Sequence, residues 1–104
     1  MALQRPPWTL LYEKDPERAR LHEQLDQLAF SDGRLSKKVK LLMAMAIDAT
    51  LGAEGGVQVY ATRAKEAGAT EEELFEAVRV ASLIGGTRAL TTALRALETV
   101  VGRR

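Results

Sequence analysis

The sequence predicts an all-α fold, and three observations carry that prediction. Apolar residues recur at three- and four-residue spacing, no segment alternates with period two over a useful length, and Gly, Pro, Ser and Asp fall where helices begin or end. At 104 residues, 46% hydrophobic and 28% charged, the chain has the size and composition of one ordinary globular domain. Aromatic residues are sparse, so Leu, Val, Ile, Met and Ala must make the core.

Residues 1–14 read as an N-terminal arm, with a single helical domain over 15–104. Pro6-Pro7 disfavours helix in the arm, while Trp8, Leu10, Leu11 and Tyr12 form an apolar cluster that packs on its own domain or reaches a neighbouring subunit. Asp15-Pro16 opens the first predicted helix, Asp as N-cap and Pro at the first helical position. Leu21, Leu25 and Leu28 recur along it, and Ser31-Asp32-Gly33 ends it. Ser36 caps a second helix over 37–51, in which Val39, Leu42, Met43, Ala46 and Ile47 share one broad face. Leu41 and Met45 make its opposite side apolar as well, so this helix is buried centrally or shared with another chain.

The third helix, 54–67, starts poorly, because Gly55 and Gly56 each cost roughly 1 kcal/mol of helix propensity against alanine. Gly68 suits a left-handed C-terminal cap, and Thr70 with Glu73 forms a capping box. Glu71 and Glu72 add charge suited to the positive end of the helix dipole. The fourth helix, 71–84, carries Leu74, Phe75, Val78, Ala81 and Leu83, and Gly85-Gly86 breaks it. The fifth, 87–101, places Leu90, Leu94, Leu97 and Val101 on one stripe, with Arg88, Thr91, Arg95 and Glu98 elsewhere.

Composition narrows the function. The net charge of +1 gives no global attraction to nucleic acid or an anionic membrane. The helix pair around Gly68 could pass for a DNA-binding helix-turn-helix, but Glu71-Glu72-Glu73 would repel phosphates. The most apolar run, 39–47, is too short to span a bilayer, and no signal segment is read, so the expected location is cytoplasmic. With no cysteine there is no disulfide, thiolate nucleophile or sulfur-based zinc site. One histidine, His22, leaves only carboxylates as further metal ligands, so neither a metal nor a cofactor is expected. His22 itself reads as a partly exposed surface residue.

Four features fall in order over 35–97: the Leu35-Ser36 helix start, the Ala-rich approach to Leu51-Gly52, the Ala67-Gly68-Ala69-Thr70 joint, and Gly85-Gly86. In this order the chain resembles the carboxymuconolactone decarboxylase and alkylhydroperoxidase D-like family. That resemblance implies a bundle of about five helices and a homo-oligomer, a trimer or a hexamer of trimers. The family's redox branch has a Cys-x-x-Cys-x-x-x-His run and a Glu in the preceding helix. Counting back from Gly68 puts the cysteines at Ala53 and Gly56, the histidine at Tyr60 and the glutamate at Leu41. All four are replaced, and thiol–disulfide exchange needs sulfur at both steps. A peroxidase label does not fit these residues. The decarboxylase branch typically shows Gly-Arg-Glu-His before the helix; here Gly52 and Glu54 remain, beside Ala53 and Gly55.

The ligand-pocket candidates are Glu54, Gly55, Gly56, Tyr60 and Arg63. The open amides at the start of the third helix favour an anion, and the two glycines allow close approach to the backbone. Arg63 could hold a carboxylate, and Tyr60 could donate a hydrogen bond but exchanges protons poorly at neutral pH. Each also has a structural role open to it: Glu54 answers the helix dipole, and Tyr60 fills the volume of the missing site. Two functions stand beside each other. One is a family member without thiol chemistry that binds a small organic carboxylate, with slow decarboxylation as a lesser form. The other is a non-catalytic oligomeric module.

Overall fold

The structure, a computed structural model, describes residues 8–102. Its helices are α1 (Trp8–Lys14), α2 (Pro16–Phe30), α3 (Lys37–Thr50), α4 (Glu54–Glu66) and α5 (Glu71–Val101). The chain divides into two compact units, one ending at Ser31 and the other beginning at Asp32.

The first unit holds α1 and α2. Residues 1–7 of the expected arm lie outside the described residues, and from Trp8 onward the arm is helical. A proline excludes helix interiors but not a helix that starts just beyond it, so Pro6-Pro7 does not keep the rest of the arm from coiling. The Trp8 and His22 rings sit 4.4 Å apart, and the Tyr12 hydroxyl donates to the Glu23 carboxylate. That hydrogen bond, with burial and the Glu23 charge, pushes the Tyr12 hydroxyl up to about 12. Asp15 caps α2 as its sequence indicates, accepting from the Arg18 amide at 3.1 Å, with Pro16 in the first turn.

In the second unit α3, α4 and α5 pack pairwise. Ser36 caps α3 through the Val39 amide at 3.2 Å, and Asp32 accepts from the Lys37 amide at 2.7 Å. The predicted fourth and fifth helices form one hydrogen-bonded run, α5, interrupted at Gly86. There φ is 78° and ψ is −165°, a backbone region open in practice only to glycine. The predicted break is therefore real, and the extra helix is α1.

The large apolar faces point the opposite way from a simple core assignment. On α3 the inner face is Leu41, Met45 and Ala49, each 0–1% exposed, while Val39, Met43 and Ile47 lie outside, Ile47 at 55%. Two residues of helix turn the chain by about 200°, so Met43 and Met45 face opposite ways. After the break α5 encloses Ala89, Thr92, Ala93, Ala96 and Leu97 and leaves Leu90 and Leu94 exposed. Before it, Leu74, Val78 and Ala81 are buried, while Val80, Leu83 and Ile84 stand out, Leu83 at 82%. On α2 the Leu21, Leu25 and Leu28 stripe is exposed too, and His22 and Glu23 on the other side meet α1. Among the described residues no helix is long and apolar enough to cross a membrane.

Candidate functional site

The site is built at the α3–α4 joint. After Leu51 the chain enters the left-handed region at Gly52, with φ 74°. The Gly52 amide donates to the Ala49 carbonyl at 3.1 Å and the Ala53 amide to the Asp48 carbonyl at 2.8 Å, the paired bonds of a Schellman ending. Two contacts from α5 hold this turn. The Arg88 guanidinium donates to the Leu51 carbonyl at 3.1 Å and lies so near Gly52 that an added Cβ would come 2.5 Å from it. Gly85, just before the break, meets Thr50 so closely that a Cβ would lie 2.9 Å from its methyl group.

Helix α4 begins at once and without a side-chain cap. Ala53 occupies the N-cap position and offers no acceptor. The first intrahelical bond runs from the Val57 amide to the Ala53 carbonyl at 3.0 Å, so the amides of Glu54, Gly55 and Gly56 precede it. Glu54 is exposed. A Cβ at Gly55 would meet nothing within 4 Å, so the backbone there is open to approach. Gly56 is the reverse case: a Cβ would fall 2.0 Å from Asp48 Oδ2. Asp48 is half-buried, and burial pushes its carboxyl above the usual carboxylate range.

The five candidates divide along α4. Glu54, Gly55 and Gly56 form its first turn. Tyr60 stands one turn beyond Gly56 on the same face, and the Arg63 guanidinium lies over its ring, 5.7 Å from the centroid. Nine residues of helix put Arg63 about 13 Å along the axis from Glu54. Arg63 also lines an open depression of about 160 Å³ with Lys37, Glu66 and Ala67, which takes none of the other four candidates. A ligand on the first turn would therefore reach Tyr60 before Arg63.

Sequence reasoning missed Asp48 and Arg88. Asp48 is the sole acidic residue of α3, and seven residues separate it from Leu41, which turns it back to within about 20° of the same face. That face is the one from which the family resemblance expects a glutamate, and Leu41 itself is fully buried core. An acid on an otherwise apolar inner face was the available signal. Arg88 carried none, because its role depends on how α5 meets the joint.

Chemically, the joint combines free amides, a backbone open at Gly55 and a desolvated acid. Those groups can bind an anion and hold a proton beside it. The carboxymuconolactone decarboxylase family model matches residues 16–99. Among solved structures, the apo form of a carboxymuconolactone decarboxylase family protein from Legionella pneumophila is similar, with 31% identity and a TM-score of 0.83. The match covers 91% of this chain and 87% of that one. No curated protein matches the chain in sequence.

Proposed function

The chain belongs to the carboxymuconolactone decarboxylase family, and we propose that it is a cysteine-free member that binds a small organic carboxylate at the α3–α4 joint. The observation that carries this reading is the uncapped first turn of α4, lined by Gly55 and Gly56. Free amides at a helix start attract an anion, and the open backbone at Gly55 lets it come close, while Asp48 fills the space over Gly56. Tyr60, stacked with Arg63 one turn on, supplies a hydroxyl at the far edge of a ligand longer than acetate. The chain contains no cysteine, so it supplies no thiol for peroxide or disulfide chemistry. Decarboxylation would need a donor for the developing carbanion; Tyr60 fills that role poorly, and the reading stops at binding.

Titration with acetate, benzoate and succinate, followed by amide NMR, tests it. The Gly55 and Gly56 amides should shift first. Shifts confined to the depression around Lys37, Arg63 and Glu66 would relocate the site, and no shift with any carboxylate would sink the binding reading.

A second reading, a non-catalytic oligomeric module, is favoured by a separate observation. The large apolar faces of α2, α3 and α5 are exposed. Burying a single leucine is worth about 1.5–3 kcal/mol, so several uncovered leucines strongly favour a partner surface. The partner proposed is the chain itself, as a homotrimer or a hexamer of trimers, and this is compatible with ligand binding. Light scattering at micromolar concentration should give a multiple of 11.4 kDa. A monomer mass would refute self-association, and a dimer would refute the trimer-based count alone.

A further inference from the structure

Asp48 presents a carboxylate against the one position of α4 where no side chain fits. Its Oδ2 lies where a Gly56 Cβ would come within 2.0 Å, and its Cγ where that Cβ would come within 2.7 Å. The simplest role for such a group is the cap that Ala53 cannot provide. A capping carboxylate accepts from the helix amides, and those bonds hold it ionised. Here α4 starts without a side-chain cap bond, and burial, the one influence on the Asp48 carboxyl, moves it in the direction opposite to that of a cap.

No cation among the described residues offsets it either. The charged group of the first turn of α4 is Glu54, itself acidic, and Arg63 lies about 10 Å further along that helix from Gly56. From α5 the charged group at the joint is Arg88, whose guanidinium is on the Leu51 carbonyl. On α3, the nearest lysine in sequence, Lys40, is eight residues away, about 12 Å along the axis. A half-buried acid with neither donor nor counter-charge is costly when ionised.

We infer that Asp48 is the proton-sharing residue of this site: it meets a bound carboxylate as a carboxylic acid, with one proton held between Asp48 and a ligand oxygen. The inference rests on reading the joint as a carboxylate site, and it adds what that reading lacks, a way for an anion to sit beside an acid. Two ionised carboxylates in contact repel, whereas a pair holding one proton forms a short charge-assisted hydrogen bond. The proton comes from solvent and returns on release, so binding takes up one proton whenever Asp48 is ionised in the free protein. A neutral ligand with an amide donor would behave in the opposite way, since ionised Asp48 accepts from it directly.

Benzoate and benzamide, titrated over roughly pH 5 to 8 with the Gly55 and Gly56 amides as readout, test the inference. Benzoate affinity should fall by about tenfold per pH unit above the pKa of Asp48 in the free protein, the slope of one linked proton. Benzamide should hold or gain affinity over the same range. Asp48→Asn should remove the benzoate slope. The ¹³C carboxyl signal of Asp48 in the unaltered chain should titrate at higher pH with saturating benzoate than without it, a readout that stands even if the variant fails to fold. Benzoate binding at the joint with no pH slope, or a slope that survives Asp48→Asn, would overturn proton sharing and leave the carboxylate site standing. No benzoate shift at Gly55 or Gly56 at any pH would overturn both.

Discussion

At the end of α3 and again at the end of α4 the chain makes the same turn. Gly52 and Gly68 each take a positive φ, 74° and 101°, and each turn closes with the paired bonds of a Schellman ending: Gly52 to Ala49 with Ala53 to Asp48, and Gly68 to Lys65 with Ala69 to Ala64. The two turns part at the helix start beyond the glycine. After Gly68 the next helix opens on a complete capping box, in which Thr70 Oγ1 accepts from the Glu73 amide at 3.0 Å and the Glu73 carboxylate accepts from the Thr70 amide at 2.9 Å. Lys38 Nζ donates to the same carboxylate at 2.8 Å, tying the turn back to α3. After Gly52 the next helix opens on Ala53, with no cap and an acid that nothing satisfies among the described residues. Beyond Gly68 the cap residue and Glu73 satisfy one another's amides, whereas the helix start beyond Gly52 has no such pair. The same type of helix ending thus leads to a capped helix start in one place and an uncapped one in the other, and the residue at the N-cap position makes the difference.

The glycines themselves give the largest expected contrast. Gly68→Ala adds a Cβ in open space, so its cost is that of the left-handed backbone alone, about 1–2 kcal/mol. Gly52→Ala bears the same cost and also displaces Arg88 from the Leu51 carbonyl, for a total of about 2–3 kcal/mol. Chemical denaturation of the two variants measures the gap, and equal losses would mean that Arg88 holds nothing at the joint.

The caps give a smaller effect, of opposite sign at the two places. Thr70→Ala should lose about 1 kcal/mol by opening the box. Ala53→Ser should gain about 0.5–1 kcal/mol by supplying the missing acceptor, and should weaken benzoate binding because the new hydroxyl competes for the same amides. A serine variant that is stabilised and binds benzoate unchanged would separate the ligand from the helix start.

Acid titration gives the finest contrast. The Lys38 ammonium, together with the Thr70 amide, holds the Glu73 carboxyl below its usual range. Its contribution is therefore present above the unfolded carboxylate pKa and is lost as pH falls through the lower folded one. Asp48 is shifted upward by burial, so the folded state loses stability as pH rises through the unfolded carboxylate pKa toward its higher folded one. Glu73→Gln should be less stable than the unaltered chain at neutral pH, and Asp48→Asn should be slightly more stable. Both differences should shrink toward zero in acid. Melting curves of the three proteins across pH read this directly, and differences of the same sign would remove the contrast between the turns.

What was legible in the sequence was whatever is decided within a few residues. Asp15, Ser36 and the Thr70–Glu73 pair name their own hydrogen bonds, and Gly68 and Gly86 announce a backbone that other residues avoid. Periodicity located the apolar stripes but not their partners: Leu21, Leu25 and Leu28, or Leu90 and Leu94, have helical spacing whichever side of the molecule they cover. The faces in fact enclosed in the second unit are marked by alanines, whose weak hydropathy the pattern hides behind the leucines. The candidate site was half legible. The open first turn of α4 could be read from Ala53, Gly55 and Gly56, while Asp48 and Arg88 come from neighbouring helices.

Among the described residues, alanine makes up most of the enclosed apolar side chains. Such a core brings helix backbones close together but removes little oily area from water per residue, since few of the large side chains are fully enclosed. Were the outer faces covered by further copies of the chain, most of the hydrophobic stabilisation would belong to the assembly, and the melting temperature would climb with protein concentration instead of being a fixed property of one molecule.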